Sequence, residues 1–598
     1  MAKTDLPDTV AWNEINWRKV EKSVFKLQKR IYQASISNDV KKLRKLQKTL
    51  INSYHAKLIS VRRVTQDNSG KKTAGVDKIK SLNPKQRLIL AQNLKLKDKS
   101  QPVRRIWIPK AKGKKRPLGI PVMYERASQA LVKAALEPEW EARFEANSFG
   151  FRPGRSCHDA VGAIFTAIKQ KPKFVLDADI SKCFDKINHS KLLEKVKTFP
   201  KVRKQLKAWL KAGIVDGKIL ISSTEGTPQG GICSPLLANI TLHGMEEAIK
   251  EYAASLKGKK RDNQKSLSLI RYADDFVILH HDLNIVVECK KLIEKWLSEY
   301  GLELSQEKTK IKHTLNYYEG QKPGFDFLGF NIRQYPVSKY QSGKDTHGKI
   351  LGFKTIIKPS DEKVKEHYKK LVEIINIHTA APQHSLIAKL NPVIRGWTNY
   401  YKTVCSSDIF SKIYHLLHKK LRRWADRRHP KKKKYWVSKK YWRTIGMNNW
   451  RFGCTRKEKE YVLFQHFETK ITRHIKVRGN SSPYDGNTNY WASRMGKHPE
   501  MNASTAKLFQ KQKGKCNYCD LTFRPGDRIE RDHIVPRKIG GHEYKNNLQL
   551  LHKHCHDEKT KEDLKVIRAY KSKQEADKLR KWFNCLNWKW VNDIPTLI

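Results

Sequence analysis

The chain has 598 residues and carries 122 Lys and Arg against 58 Asp and Glu, a net charge of +64. That length leaves room for several domains, and a cationic excess spread along the whole chain points to a polyanion that touches many parts of the protein through counterion release. No apolar run approaches the ~20 residues a spanning helix needs, and the opening MAKTDLPDTVAW lacks a secretory segment, so no membrane partner and an intracellular location are expected.

From Asn16 to Val64 two helices are expected. Val20, Val24, Leu27 and Ile31 fall on one stripe, as do Leu43, Leu46, Leu50, Tyr54, Leu58 and Val61, with Lys and Arg on the other faces. The pattern fits a helical cap on the next domain and a basic nucleic-acid contact alike. After a polar linker, Asn68 to Asp77, the stretch Arg104 to Pro121 reads as two short strands joined by a lysine-rich turn around Gly113. Such a hairpin suits phosphate contacts, with a solvated turn as the plain alternative. NSFGFRPGRS (Asn147 to Ser156) follows a helix from Met123 to about Glu145. Gly150 and Gly154 would let backbone approach a nucleic-acid strand whose phosphates Arg152 and Arg155 bind.

FVLDADISKCFD (Phe174 to Asp185) is an apolar strand with Asp177 and Asp179 on one face. In EGTPQGGICSPLLAN (Glu225 to Asn239) an irregular turn opens a helix at Ser234-Pro235. SLSLIRYADDFVILHH (Ser266 to His281) reads as a β-hairpin with Asp274 and Asp275 at its tip. Adjacent carboxylates repel, which raises the pKa of one unless a cation lies nearby, and Mg²⁺ is a cation suited to carboxylates and substrate phosphates. By itself the pair would read as a solvated turn. A third carboxylate from the Phe174 strand would complete a two-metal site, whose ions lie about 3.5–4 Å apart and stabilise the attacking and leaving oxygens of a phosphoryl displacement.

FVLDADI and YADD resemble the palm of reverse transcriptases. With NSFGFRPGRS, EGTPQGGICSPLLAN, GLELSQEKTKI (Gly301 to Ile311) and FDFLGFNI (Phe325 to Ile332), the ordered blocks resemble group II intron-encoded reverse transcriptases. The resemblance implies a multidomain α+β protein built as a right-hand polymerase, with fingers, a palm carrying an antiparallel sheet and a helical thumb. It implies that Asp179, Asp274 and Asp275 are catalytic and hold Mg²⁺, with Asp177 a structural or secondary acid. Lys110 and Arg116 would hold the phosphates of the incoming dNTP, Phe184 would pack under its sugar and exclude a 2′-OH, and Gln229 would line the pocket. For Phe184 plain core packing is the alternative.

Farther on, Lys354 to Pro359 resembles a strand, Ser360-Asp361-Glu362 starts a helix, and a stop is expected near Pro382 and Pro392. NPVIRGWTNYY (Asn391 to Tyr401) and LHKKLRRWADRRHPKKKK (Leu417 to Lys434) interleave aromatics with cations, which suits stacking on unpaired bases. A three-helix domain with a solvated basic face would read the same way. By resemblance, residues 1–67 are an N-terminal helical extension, 68–353 fingers and palm, 354–434 the thumb or maturase domain X, 435–503 a DNA-binding region and 504–598 a nuclease domain.

Cys516-Asn517-Tyr518-Cys519 and His552-Lys553-His554-Cys555 form two half sites suited to a tetrahedral, structural Zn²⁺. The expected ligands are Cys516, Cys519, His552 and Cys555, with His554 the alternative to His552. The segment from Glu530 to Leu551 followed by His556 resembles the His-Asn-His (HNH) nuclease motif of a small ββα-metal domain. In that motif His533 takes a proton from water, Asp532 and His556 hold Mg²⁺ against the scissile phosphate, and Asn547 fixes the loop that carries His533. A zinc-stabilised DNA-binding knuckle is the alternative.

The resemblance as a whole implies an intracellular protein, of a bacterial cytoplasm, with group II intron RNA, a target DNA duplex and dNTPs as partners. It would splice the RNA, nick the DNA and copy the inserted intron from the resulting 3′-OH. A splicing-only maturase and a stand-alone homing nuclease are the competing readings.

Overall fold

The N-terminal stripes form three helices rather than the expected two: Trp17–Ile36, Val40–Asn52 and Tyr54–Arg62. A computed structural model of the protein describes residues 11–109, 115–446, 448–456, 458–586, 588–591 and 594–597. Asn16 and Asp39 cap the first two helices by accepting from the amides of Lys19 and Lys42. Ser53 breaks the second stripe because it is extended, at φ −64° and ψ 124°. Leu43, Leu50, Leu58 and Val61 are nonetheless all buried, against the helix Met123–Glu141. Buried Gln47 donates to Glu139 Oε2 at 2.6 Å, and Gln28 to the Ala134 carbonyl at 3.0 Å.

The expected basic hairpin is present as Val103–Pro109 and Lys115–Ile120, paired antiparallel from Arg104↔Ile120 to Pro109↔Lys115. Lys110 lies outside the described residues.

The central sheet consists of β1 (Phe174–Asp179), β2 (Ser268–Tyr272), β3 (Asp275–His280) and β4 (Lys310–His313) in the order β2-β3-β1-β4, antiparallel throughout. Side chains alternate across it. Val175, Ile270, Val277 and Leu279 pack against the helix Cys157–Ile168, whereas Leu176, Ala178, Leu269, Phe276 and Ile278 pack against Leu283–Ser298. Burial on both faces is why these strands read as nearly unbroken apolar runs.

After a three-stranded sheet that ends at Phe353–Pro359, three helices follow: α1 (Asp361–Ile377), α2 (Gln383–Tyr401) and α3 (Ser407–Arg428). Pro382 precedes α2 as expected, but α2 runs through Pro392 instead of stopping there. Its flanking Leu390 and Ile394 are fully buried, and that burial offsets the hydrogen bond a helical proline removes. Val437, Tyr441, Trp442 and Phe452 extend the same core, so the chain just past 434 is continuous with the bundle.

The C-terminal unit comprises β5 (Ile529–His533) and β6 (Leu548–His552), paired antiparallel, and the long helix α4 (Lys553–Asn584). It docks on the N-terminal helices through Glu21, 3% exposed, which pairs with Arg62 at 2.6 Å and Arg524 at 2.5 Å.

Candidate functional site

β1 and β3 are in a register that sets Asp179 directly across from Asp275, close enough that the Asp179 carboxyl raises the pKa of Asp275. Asp177, Asp179 and Asp275 lie on one face of the sheet, as period-two alternation requires. Asp274 occupies the two-residue turn with Ala273, whose φ is 59°. Burial first, then the charges of Asp274 and Asp179, pushes the Asp275 carboxyl up to about 7. Burial likewise raises Asp274, and takes Asp177 to about 6. Such a cluster calls for a cation, and Lys308 supplies one: its Nζ lies 2.5 Å from Asp179 Oδ2. Lys308 was not singled out in the sequence, because one lysine within SQEKTK carries no local signal among 122 cations. The three acidic side chains fit the oxygen-donor chemistry of Mg²⁺.

Around the acids the structure gathers other residues expected at the site. Arg116 Nε donates to Gln229 Oε1 at 2.8 Å, and the Gly119 amide donates to the Gln229 carbonyl at 2.6 Å. Arg116 is close enough to lower the pKa of Asp274. Phe184 is 7% exposed on the short helix Cys183–Lys186, edge-on to the half-exposed Phe151 with ring centroids 6.1 Å apart.

The NSFGFRPGRS loop departs from expectation. Arg152 is not placed to bind a phosphate: its buried guanidinium grips Glu141 at 2.9 and 3.0 Å and donates to the carbonyls of Glu145 and Ser148. Arg155, also buried, donates to the carbonyls of Ala146 and Gly479. The glycines admit protein rather than nucleic acid. A Cβ on Gly154 would fall 2.4 Å from the Trp491 ring, and Gly150 lies against the Ala273 backbone. The loop braces the acid turn: Ser148 bridges to Arg271, and buried Arg271 donates to Asn239, Ser148 and the Ala273 carbonyl.

In the C-terminal unit, Cys516, Cys519, His552 and Cys555 bring ligand atoms within 4.8 Å of one another, the only such group among the described residues; the three aspartates are more widely spread. His552 turns Nδ1 toward Cys519 Sγ at 3.4 Å and Nε2 toward Asp527 at 3.4 Å. A carboxylate behind the ring is how a ligating imidazole is oriented. His554 is not in the group; it faces Glu21 at 3.9 Å and Trp17. The donor set fits Zn²⁺.

Beside this cluster, Asn547 Nδ2 donates to the carbonyls of Val535 at 3.0 Å and His542 at 2.8 Å, while its Oδ1 accepts from the Val535 amide at 2.8 Å. These bonds pin the loop that follows His533. His556 Nε2 is 3.5 Å from Asp532, and its Nδ1 is 2.8 Å from Glu530, a partner sequence reading missed. Lys559 sits 3.2 Å from Asp532, and Arg537 Nε donates to His533 Nε2 at 3.1 Å. Asp532, His533 and Arg537 open on a cleft of about 340 Å³.

Family models match in chain order: the N-terminal domain of reverse transcriptase over residues 12–94, reverse transcriptase (RNA-dependent DNA polymerase) over 108–332, the group II intron maturase-specific domain over 364–442, and HNH endonuclease over 516–562. Protein YkfC of Escherichia coli (strain K12) is 32% identical over 314 residues, covering 46% of this chain and 80% of that protein. The group II intron-encoded protein LtrA of Lactococcus lactis subsp. cremoris is 31% identical over 373 residues, 50% of this chain and 60% of LtrA. Maturase-like protein 1 of Euglena longa is 26% identical over 419 residues, 68% of this chain and 80% of that protein.

Proposed function

This chain belongs to the family of group II intron-encoded reverse transcriptases and maturases, here with a C-terminal HNH endonuclease domain, and from that premise we propose that its parts act in sequence on one intron. The HNH domain nicks one strand of a target duplex, the polymerase extends the new 3′-OH along the intron RNA with dNTPs, and the helical bundle and N-terminal helices hold that RNA folded for splicing. In this reading the central sheet is the palm, the hairpin Val103–Pro109 and Lys115–Ile120 the fingers, α1 to α3 the thumb, and the stretch beyond it the DNA-binding region. No described helix is long and apolar enough to cross a membrane, which is compatible with action in a bacterial cytoplasm.

Held by Asp179, Asp274 and Asp275, two Mg²⁺ ions would stabilise the attacking 3′-oxygen and the leaving pyrophosphate. Lys308 moves off Asp179 when substrate and metal enter, Arg116 turns from Gln229 to the triphosphate, and the Phe184 ring bars a 2′-OH. In the nuclease, Asp532 and His556 would hold a single Mg²⁺ that polarises the scissile phosphate. His533 receives the proton of the attacking water at Nε2 once Arg537 releases it to the DNA, and Asn547 keeps its loop in place. Zn²⁺ on Cys516, Cys519, His552 and Cys555 would tie β6 to α4.

The observation that carries this reading is the pairing of Asp179 with Asp275 beside Asp274. Primer extension on an RNA template tests it: the unaltered protein makes DNA only with Mg²⁺, and Asp274→Ala abolishes synthesis. Splicing without any DNA synthesis by the unaltered protein would favour the splicing-only reading.

A further inference from the structure

Between α1 and α2 runs a groove of about 560 Å³ that the proposed chemistry does not use. Lys363, Glu366, His367 and Lys370 line it from α1, and Gly396, Trp397 and Tyr400 from α2; Lys363, His367 and Lys370 share one helix face, as do Gly396 and Tyr400. A Cβ built on Gly396 meets nothing within 4 Å, so the groove is open at that point.

At its base lies a pair of buried histidines. The His367 ring stacks on Trp397, with centroids 4.4 Å apart and planes 6° from parallel, and its Nε2 lies 3.0 Å from His466 Nε2. Burial lowers both rings, to about 3 and about 4, so both are neutral at neutral pH and one proton lies between them. His466 Nδ1 is shut away from solvent without a partner among the described residues. If His367 donated across the pair, that Nδ1 would carry a buried, unmet N–H, which proteins rarely leave. The favoured tautomer therefore has His466 Nε2–H donating to His367 and leaves the His367 proton on Nδ1, the ring nitrogen available to the groove.

We propose that this groove receives one unpaired nucleobase of a bound RNA strand. The base enters over Gly396 beside Trp397 and Tyr400, one of its acceptor oxygens meets His367 Nδ1–H, and Lys370 takes the adjoining phosphate. Lys363 is paired with Glu366 at 2.8 Å, while Lys370 has no ion-pair partner among the described residues. A flat ring with an acceptor at its edge and an anion beside it satisfies all three features. An apolar peptide side chain would leave the His367 N–H unmet. The assignment rests on the RNA-binding part of the proposed function and adds a defined subsite to it.

The test irradiates the full-length protein with short single-stranded RNAs that carry 5-iodouridine and maps crosslinked peptides by mass spectrometry, comparing the unaltered protein with Gly396→Ala and Gly396→Leu. Leucine projects into the groove beside Trp397 whereas alanine leaves it open, and both favour helix over glycine. Crosslinks are expected at Trp397 or Tyr400 in the unaltered and alanine proteins. They should fall at least about fivefold in Gly396→Leu, in keeping with the loss of one stacked base, with no drop in its thermal midpoint. Their absence from the unaltered protein, or an equal yield in Gly396→Leu, overturns the assignment. Primer extension run in parallel separates the two proposals: groove crosslinks without DNA synthesis reject the polymerase reading alone, and synthesis without groove crosslinks rejects the groove alone.

Discussion

A Cβ on Gly150 would lie 2.2 Å from the Ala273 amide nitrogen, so the loop at 147–151 and the turn that carries Asp274 and Asp275 require glycine where they meet. The contact is reinforced by the Phe149 amide, which donates to the Arg271 carbonyl at 2.9 Å, and by the Arg271 amide, which donates to the Asn147 carbonyl at 2.9 Å. The turn is already left-handed at Ala273 and has little room to yield.

Gly150→Ala should therefore push the acid turn away from Asp179. An ångström of misplacement is enough to cost about 10²-fold in rate. Primer extension is expected to fall by roughly that factor while DNA nicking by the HNH unit is retained. Full polymerase activity in this variant would show that the turn is not braced by the loop.

Arg152 offers a test of a corrected role. Arg152→Ala leaves Glu141 buried and unpaired, a change expected to cost about 3–5 kcal/mol and to lower the thermal midpoint. The double variant Arg152→Met, Glu141→Leu should recover much of that loss. A phosphate contact would behave differently, leaving stability alone and reducing the salt dependence of RNA binding; thermal unfolding and salt titration tell the two apart.

Asn547→Ala removes three hydrogen bonds from the loop after His533. Nicking is expected to fall about 10–100-fold, with primer extension unaffected. Asn547→Asp, which keeps only the acceptor, should lose most of the same activity. Gel assays of both reactions on one preparation check this.

Acid should loosen the helical bundle. His367 and His466 sit at about 3 and about 4 in the folded protein, below their ordinary 6.5. As pH falls from 6.5 toward those values the unfolded chain takes up protons that the folded chain refuses, so their contribution to stability is lost on acidification. The thermal midpoint should drop between about pH 7 and pH 5, and the double variant His367→Phe, His466→Leu should show a shallower drop. An equal slope in both proteins would remove these histidines from the explanation.

The readable parts of the sequence were those in which a local period reports a local geometry. Alternation in FVLDAD and around YADD predicts two strands with acids on a common face, and Cys516-x-x-Cys519 with His552-x-x-Cys555 predicts a ligand set; both describe what the backbone does within a few residues. Patterns of that range could not say that Ser53 splits the second helix, that α2 continues through Pro392, or that His554 turns away to Glu21 while His552 joins the cysteines.

The chain by itself thus determined where strands and helices form, though not every helix boundary, and the chemical character of its two acidic and thiol-rich centres, since those follow from side-chain type and spacing. Only the tertiary structure decided that Asp179 stands across from Asp275, that Lys308 supplies their cation, and that Arg152 and Gly150 support the protein instead of touching nucleic acid. Each of these depends on a partner that is distant in sequence or concealed by a shared residue type: a glycine or an arginine has the same local appearance whether it meets phosphate or backbone, and packing alone chooses between them.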